Sequence, residues 1–281
     1  MTVKEVADKA YRSLAPRFGG GEARWMVRLM MEEFKNYSPV DMAVRGDFDA
    51  GENVERRIDE TVGRLLNGEP IQYIFGKARF YGMNLKVTPD VLIPRPETEE
   101  LVDLIVNDRG GERDLRVLDV CTGSGCIAIA LARNLPFSEV DAIDISREAL
   151  AVARENASEL KAAVSFKEGD ALRMGADGAE YDIIVSNPPY IAEHERAEMD
   201  RNVLEHEPAL ALFVPDADPL RFYIAIARYA LVALKEQGGL YFEINPLYAS
   251  DLAGQMKAMG WSDVSILPDM QKKNRFLIAR L

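Results

Sequence analysis

The chain has 281 residues, of which 28% are charged and 48% are hydrophobic, and it carries a formal net charge of −12. These proportions are ordinary for a globular protein, and no apolar run reaches the roughly 18 residues that a membrane-spanning helix needs. The N-terminal segment lacks the apolar core of a signal peptide, so we expect a cytoplasmic protein without a membrane anchor.

Charge and cysteine content argue against several kinds of site. Residues 1–80 contain 13 Lys and Arg against 13 Asp and Glu, whereas the remaining residues contain 21 against 33. An acidic body without a basic stripe argues against direct binding to nucleic acid. The two cysteines, Cys121 and Cys126, and two histidines are too few for a disulfide framework or a zinc site. We therefore expect reduced thiols and no metal.

Residues 1–70 predict helices only. Apolar side chains follow the spacing of one helical face in three stretches, residues 3–14, 23–34 and 54–66. Ser38 followed by Pro39 is typical of a helix start, and Gly68 suits a helix end. We expect a small all-α N-terminal domain over residues 1–70.

A β-hairpin is predicted where the hydrophobic period changes. Residues 73–87 alternate between apolar and polar side chains and contain two glycines. Residues 89–96 contain three prolines and cannot form regular structure. We therefore expect a hairpin and linker over residues 71–96, followed by a third segment over residues 97–281.

Strands and helices alternate from Glu97 onward, which predicts an α/β fold with a doubly wound, mostly parallel sheet. The predicted strands are residues 115–120, 139–144, 163–168, 181–186, 239–244, 262–267 and 274–280. The predicted helices are residues 97–107, 125–135, 147–160, 217–236 and 247–259. Only a short turn joins the last two of the seven strands, so one of them should run antiparallel.

A glycine-rich turn follows the first strand of this sheet. Residues 117–127 read VLDVCTGSGCI, in which a strand carrying Asp119 leads through two glycines into a helix. Ligands bind at this edge of doubly wound sheets, and glycines let backbone amides approach them closely. The spacing is neither G-x-G-x-x-G nor a P-loop. A tight connection without a ligand is the competing interpretation.

Two further acidic residues follow the next two strands. Asp144 ends the second strand, where a carboxylate can accept both hydroxyl protons of a ribose. Ser146 is the better candidate for the cap of the following helix. Asp170, after the third strand, is either a turn residue or an acceptor for the exocyclic amine of adenine. The turn and Asp144 together predict a nucleoside-containing cofactor.

The fourth strand ends in Asn187-Pro188-Pro189-Tyr190. Pro188 forces Asn187 into an extended conformation, and the two proline rings preset the directions of the carbonyl groups. The Asn187 side-chain oxygen and the Pro188 carbonyl are two acceptors that can hold both protons of one planar NH2 group. Tyr190 is expected to cover the face of the same group.

The nitrogen of an amide or an arylamine is a poor nucleophile, because its lone pair is delocalised into the adjacent π system. Accepting hydrogen bonds from both N–H groups raises the electron density on nitrogen and aims its lone pair. No strong base is required, because the proton becomes acidic only after the nitrogen is alkylated. The tetrapeptide therefore predicts a clamp for alkylation of a planar amine or amide.

Residues 117–190 resemble the class I S-adenosylmethionine-dependent methyltransferases that modify planar NH2 groups. Three further stretches are similar to the release-factor glutamine methyltransferase family of the HemK/PrmC type, namely GEPIQYIFGKARFYG (68–82), LIPRPETEELV (92–102) and HEPALALF (206–213). The resemblance covers the whole chain. The residues PETE at 96–99 favour the release-factor type over the relative that methylates a ribosomal protein.

The resemblance implies transfer of a methyl group from S-adenosylmethionine to the glutamine N5 of the Gly-Gly-Gln motif in class-1 peptide chain release factors. It implies that the helical domain recognises the release factor, and we expect the protein to act as a monomer. The implied cofactor-binding residues are Asp119, Cys121, Thr122, Gly123, Ser124, Gly125, Asp144, Asp170, Ala171 and Asn187. The implied substrate-binding residues are Asn187, Pro188, Pro189 and Tyr190, of which Asn187, Pro188 and Tyr190 are expected to be catalytic.

Three alternatives stay open: a ribosomal-protein glutamine methyltransferase, a nucleic-acid methyltransferase acting on adenine N6 or guanine N2, and a catalytically silent cofactor-binding protein. The acidic balance opposes the second, and the intact tetrapeptide and Asp144 oppose the third.

A few residues depart from the family pattern or have two interpretations. Cys121 stands where the family usually has glycine, and it fits without strain if its φ is negative. Arg95 is expected to pair with a carboxylate rather than to contact the substrate. Surface or loop positions are expected for His194, His206, Glu193 and Glu195.

Overall fold

The computed structural model describes residues 1–175 and 178–281. It contains two compact units, which we call the helical unit (Met1–Phe75 with Arg201–His206) and the sheet unit (Gly76–Asp200 with Glu207–Leu281). No helix of the described residues is long and apolar enough to cross a membrane. The division of the first 96 residues into a bundle and a linker stays a prediction.

Four of the five helices predicted from residue 97 onward begin and end within two residues of the predicted positions, whereas the helices over residues 71–75 and 201–206 were not predicted. The described helices are numbered in chain order. Their bounds are α1 (Val3–Lys35), α2 (Pro39–Arg45), α3 (Glu52–Leu66), α4 (Ile71–Phe75), α5 (Pro96–Arg109), α6 (Cys126–Asn134), α7 (Arg147–Glu159), α8 (Arg201–His206), α9 (Arg221–Ala233) and α10 (Ala249–Ala258).

The strands are β1 (Lys77–Phe80), β2 (Met83–Lys86), β3 (Arg116–Val120), β4 (Glu139–Asp144), β5 (Val164–Glu168), β6 (Tyr181–Ser186), β7 (Ile191–Ala192), β8 (Phe213–Val214), β9 (Leu234–Glu243), β10 (Asp263–Pro268) and β11 (Asn274–Arg280). In the described part of the chain, seven of them form one sheet in the order β10-β11-β9-β6-β3-β4-β5. The predicted seven-stranded α/β fold is confirmed.

The helical unit is built on the buried faces of α1 and α3. A capping box between Thr2 and Glu5 starts α1, and Gly19 interrupts it with non-helical dihedral angles of φ 78° and ψ 161°. Ser38 caps α2 and Pro39 follows in its first turn, as predicted. Apolar side chains shared by the two longer helices form the core, including Val6, Leu14, Met30, Ile58 and Leu65.

The first strand of the sheet in chain order is β3, which pairs in parallel with β4 on one side and β6 on the other. The chain order reverses at this point, where doubly wound sheets bind their ligands. The Ser186 hydroxyl donates to the Val120 carbonyl at 2.6 Å and ties the tips of β6 and β3 together. β11 runs antiparallel to both β9 and β10, which confirms that one of the last two strands is reversed.

Helices cover both faces of the sheet and bury its apolar side chains. Helices α9 and α10 pack on one face, with Tyr223, Ile226 and Met256 among the buried residues. Helices α5 and α6 pack on the other face, with Leu101 and Ile129 buried there. Strands buried on both faces explain the continuous apolar runs in the sequence.

Three predicted elements have wrong boundaries, namely the hairpin, the helix over residues 217–236 and the strand over residues 239–244, which begins at Leu234. The hairpin predicted over residues 73–87 begins only at Lys77, because the amides of Tyr73 and Ile74 bond to the Pro70 carbonyl and form α4 instead. A run this short fits either period. The helix predicted over residues 217–236 is shorter at both ends, since β9 begins at Leu234 and pairs with β6.

Candidate active site

A cavity of about 510 Å³ lies in the sheet unit, at the carboxyl ends of the parallel strands. Most of the sequence-predicted site residues line it, namely Cys121, Thr122, Gly123, Ser124, Asp144, Asp170, Ala171, Asn187 and Pro189. Four others lie outside the lining in the described part of the chain, namely Asp119, Gly125, Pro188 and Tyr190. Both predicted halves of the site therefore meet at one cavity.

Gly125 has a packing role under the cavity. It caps α6 with a φ of 81°, and a Cβ at this position would lie 3.1 Å from both Ala153 Cβ and Ile129 Cδ1. An L side chain is disfavoured there by its conformation and by these neighbours. Gly123, with a φ of 55°, has open space where its Cβ would lie, so the chain can approach a ligand closely.

Cys121 has a φ of 63°, in the left-handed region. The negative φ that would let cysteine fit without strain is thus not found. A Cβ in this conformation costs roughly 1–2 kcal/mol, which gives glycine an advantage at this position. Burial, followed by the charges of Asp144 and Asp119, raises the pKa of the Cys121 thiol well above its usual range. The thiol is therefore a wall of the cavity and a poor nucleophile.

Asp119 is fully buried beneath the glycine-rich turn. Its Oδ2 accepts hydrogen bonds from the Thr122 hydroxyl at 2.6 Å and the Ala128 amide at 3.2 Å. Burial raises the pKa of Asp119 to about 7, although the two hydrogen bonds act to lower it. The carboxyl group thus joins the turn to the first residues of α6, and its contact with a cofactor stays a prediction.

Asp144 holds the same turn from the neighbouring strand. Its Oδ2 accepts from the Gly123 amide at 2.8 Å, and its Oδ1 accepts from the Ser146 amide at 2.9 Å. Ser146 caps α7 by accepting from the Ala149 amide at 3.0 Å, as predicted. Burial raises the pKa of Asp144. Each carboxylate oxygen keeps a further lone pair, so the group can still accept from a vicinal diol in the cavity.

Asp170 begins the short helical turn after β5. Its Oδ1 accepts from the Leu172 amide at 2.9 Å, and its Oδ2 lies 3.3 Å from Arg173 Nε. Asp170 and Ala171 line the cavity beside the end of β4. The turn interpretation and the ligand interpretation are therefore compatible.

The tetrapeptide after β6 is held by two side chains that the sequence analysis missed. Asn187 Nδ2 donates to Thr98 Oγ1 at 3.2 Å, and the Thr98 hydroxyl donates to Glu243 Oε2 at 2.7 Å. The Tyr190 hydroxyl donates to the other Glu243 oxygen at 3.1 Å. Thr98 lies at the start of α5 and Glu243 at the end of β9, so three elements converge on Asn187.

Glu243 is 1% exposed and sits at the centre of this network. Burial raises its pKa, whereas the bonds from Thr98 and Tyr190 and the charge of Arg275 act in the opposite direction. Burial also raises the pKa of Tyr190 far above its usual range, so its phenol stays protonated and donates. A carboxylate at the tip of a predicted strand was the signal for this residue, since that edge carries the site.

The chain after Tyr190 is fixed by Asn245 and Glu195. Asn245 Nδ2 donates to the Tyr190 carbonyl at 3.1 Å and to Glu195 Oε1 at 2.9 Å, and the Ala192 amide donates to the same Glu195 oxygen at 2.8 Å. Glu195 thus has a structural role, and its expected place in a solvated loop is wrong. His194 is exposed, as expected, and its Nδ1 lies 2.8 Å from Asp216 Oδ1.

Arg95 joins two of the family-like segments. Its Nη2 lies 2.6 Å from Glu207 Oε1, and the Ile93 amide donates to Glu207 Oε2 at 3.2 Å. The Glu207 side chain is 2% exposed. The expected carboxylate partner of Arg95 is confirmed, and Arg95 also lines the cavity. His206 belongs to the helical unit and is half-buried there.

The outer wall of the cavity is apolar. Leu92, Leu210, Phe213 and Phe222 line it, and Leu210 is 59% exposed. Leu92 and Leu210 lie in the connecting segments, whereas Phe213 belongs to the two-residue strand β8 and Phe222 to the start of α9. Loops and strands this short have no hydrophobic period, so the sequence pattern carried no signal for this wall. In residues 1–175 and 178–281, no group of three or more His, Cys, Asp or Glu side chains is arranged to hold a metal ion.

Residues 98–209 match the family model of the methyltransferase small domain, and residues 8–76 match that of the PrmC N-terminal domain. The Release factor glutamine methyltransferase of Bacteroides thetaiotaomicron is 53% identical over 226 residues, which cover 80% of this chain and 81% of that protein. The chain belongs to the release factor glutamine methyltransferase family.

Another member of the release factor glutamine methyltransferase family, from Flavobacterium psychrophilum, is 38% identical over 281 residues, 99% of this chain and 98% of that protein. Among solved structures, the hMettl16 catalytic domain in complex with MAT2A 3′UTR hairpin 6 matches with a TM-score of 0.56 over 88% of each chain. At 15% identity this match shows the fold alone. The family resemblance predicted from the sequence is confirmed.

Proposed function

We propose that the protein transfers a methyl group from S-adenosylmethionine to the N5 nitrogen of the glutamine in the Gly-Gly-Gln motif of class-1 peptide chain release factors. The observation that carries this proposal is the shared cavity. Asp144 and the glycine-rich turn line it from β3 and β4, and Asn187 lines it from the adjacent β6. Family membership supplies the substrate class.

The residues at the cavity fit a nucleoside-containing cofactor. A volume of about 510 Å³ lies within the range of small-molecule sites. The Asp144 carboxylate is placed to accept from ribose hydroxyls, Gly123 permits close approach, and Asp170 and Ala171 would border the adenine. When bound, S-adenosylmethionine supplies a methyl group attached to a positively charged sulfur.

The chain's contribution to the chemistry is to hold the target amide. The Asn187 side-chain oxygen and the Pro188 carbonyl would accept the two protons of the glutamine NH2 group, so that the nitrogen lone pair points at the methyl carbon. The apolar wall formed by Leu92, Leu210, Phe213 and Phe222 would offer no hydrogen-bond partners to water beside the reacting groups. The new carbon–nitrogen bond would replace the carbon–sulfur bond of the methyl donor, so that S-adenosylhomocysteine is the second product. The proton would then leave to water from the nitrogen, which is positively charged once the bond has formed.

Recognition of the release factor falls to the helical unit in this proposal. The acidic residues after position 80 favour a basic partner domain, because opposite charges steer association. We expect the enzyme to act as a cytoplasmic monomer, with no direct contact to nucleic acid.

The test supplies labelled S-adenosylmethionine to the protein with a class-1 release factor, ribosomal protein, DNA and RNA in parallel. Label should enter the release factor alone and should map to the Gly-Gly-Gln glutamine. Asn187→Ala should abolish transfer and retain most of the cofactor affinity, measured by calorimetry. Label found only in ribosomal protein or nucleic acid would overturn the proposal, and label found nowhere would favour a silent cofactor-binding protein.

A further inference from the structure

The side-chain amide of Asn187 has two possible orientations, and only one of them suits the clamp. An asparagine amide presents an acceptor on one side and two donors on the other. With the oxygen toward the cavity, Asn187 accepts from a substrate NH2 group. With the amide turned by 180°, its own NH2 group would face the substrate NH2 group, and the contact would be lost.

The neighbouring side chains determine this orientation through the direction of their protons. The Thr98 hydroxyl donates to Glu243 Oε2 at 2.7 Å and the Tyr190 hydroxyl donates to Glu243 Oε1 at 3.1 Å. Both oxygens of the Glu243 carboxyl group therefore act as acceptors, which is the arrangement of an ionised carboxylate. A threonine hydroxyl has one proton. Once Thr98 has donated it to Glu243, its oxygen can only accept, and the donor at 3.2 Å is Asn187 Nδ2.

The turned amide would be disfavoured by the same contacts. In the turned amide, the Asn187 oxygen would take the position of Nδ2, 3.2 Å from Thr98 Oγ1. Two acceptors would then face each other without a proton between them, which is unfavourable. Thr98 is 2% exposed and Glu243 is 1% exposed, so water has little access to replace the missing donor. Tyr190 occupies the second Glu243 oxygen and restrains the carboxylate from rotating away from Thr98.

We propose that Thr98 and Glu243 are positioning residues that set the orientation of the Asn187 amide, and thereby make the site select a planar NH2 group as its target. This inference rests on the proposed methyl transfer. Neither residue needs to contact the substrate. Their effect reaches the reacting nitrogen through Asn187.

Two substitutions of Thr98 test the proposal. Thr98→Val has nearly the same shape and lacks the hydroxyl, whereas Thr98→Ser keeps the hydroxyl and lacks a methyl group. We expect Thr98→Val to lower kcat about tenfold, the size of one hydrogen bond in the transition state. The KM for the release factor should change less, because the acceptor contact strengthens as the nitrogen becomes positive. Thr98→Ser should stay within about twofold of the wild type.

A measurement without turnover separates this inference from the proposed function. In protein labelled with 15N-asparagine, the Asn187 side-chain resonance is assigned by its loss in Asn187→Ala. Hydrogen exchange at this NH2 group should be slow in the wild type and in Thr98→Ser, and faster in Thr98→Val. Cofactor affinity and melting temperature of the two Thr98 variants serve as controls.

The inference would be overturned if hydrogen exchange at the Asn187 NH2 group, or kcat, were the same in Thr98→Val as in the wild type. It would also be overturned if Thr98→Val and Thr98→Ser lost the same amount of activity and exchange protection. If the wild type fails to methylate the release factor while the exchange data follow expectation, the proposed function fails and the assigned orientation stands.

Discussion

The left-handed backbone at Cys121 can be tested with two substitutions at one position. Cys121→Ala removes the thiol and keeps the Cβ, whereas Cys121→Gly removes both. At a φ of 63° the Cβ costs roughly 1–2 kcal/mol, while glycine gains about 0.5–1 kcal/mol of freedom in the unfolded chain. We therefore expect the glycine variant to be more stable than the alanine variant by about 0.5–1 kcal/mol.

The matched control is Ala151→Gly, at an exposed position in the middle of α7. Glycine in a helix interior costs about 1 kcal/mol relative to alanine. The two alanine-to-glycine comparisons should therefore change the free energy of unfolding in opposite directions. Urea unfolding followed by circular dichroism gives all of the required values.

Cofactor affinity supplies a second measure that does not involve the unfolded chain. Cys121→Gly should bind S-adenosylmethionine at least as tightly as the wild type, because it loses only a side chain at the cavity wall. Calorimetry measures this directly. The reasoning is refuted if glycine is less stable than alanine at position 121, as at the control position, or if Cys121→Gly loses most of its cofactor affinity.

Two further predictions concern buried charges. The pKa of Asp119 is about 7 in the folded protein, which is above the value of about 4 for an aspartate in the unfolded chain. The unfolded state therefore loses this proton first, and the free energy of unfolding falls by up to ~4 kcal/mol as pH rises from about 4 to about 7. Asp119→Asn should lose less stability than the wild type between pH 5 and pH 8 in urea unfolding, and parallel losses would contradict the assignment. Arg95→Met should lower the free energy of unfolding by about 2 kcal/mol, because it leaves the buried Glu207 carboxylate without its charged partner. The loss is smaller than for a fully buried ion pair because the Arg95 side chain is partly exposed. Adding Glu207→Gln should recover part of this loss; a double variant as unstable as Arg95→Met would show that the charge is not the cause.

Strand-and-helix alternation is enough to predict the sheet, because parallel strands buried on two faces produce short continuous apolar runs such as Ile183-Ile184-Val185. The rule that ligands bind at the carboxyl edge of such a sheet then places Asp144 and Asn187 at one site. These successes depend on local pattern and on a general property of the fold. The roles of the individual site residues stay predictions.

The hydrogen bonds around Asn187 could not be predicted from the sequence, because the residues that make them are far apart in the chain. Thr98 and Glu243 are separated by 145 positions, and no local pattern relates them. The φ of Cys121 was also inaccessible, since a side chain does not report the dihedral angle of its own backbone. The prediction for α4 was wrong for another reason, because a pattern of only five residues fits a helix and a strand equally well.

The hydrogen bond between Ser186 and Val120 limits which parts of the site can change as the sequence evolves. It fixes the two strand tips from which Cys121 and Asn187 emerge, and that spacing belongs to the sheet. The connecting segments over residues 88–95 and 207–215, the second of which contains the short strand β8, lie outside this pair of strands. Substitutions in these loops alter which molecules enter the cavity without altering the distance between the strand tips. A descendant can therefore acquire a new target through its loops and inherit the reaction geometry unchanged.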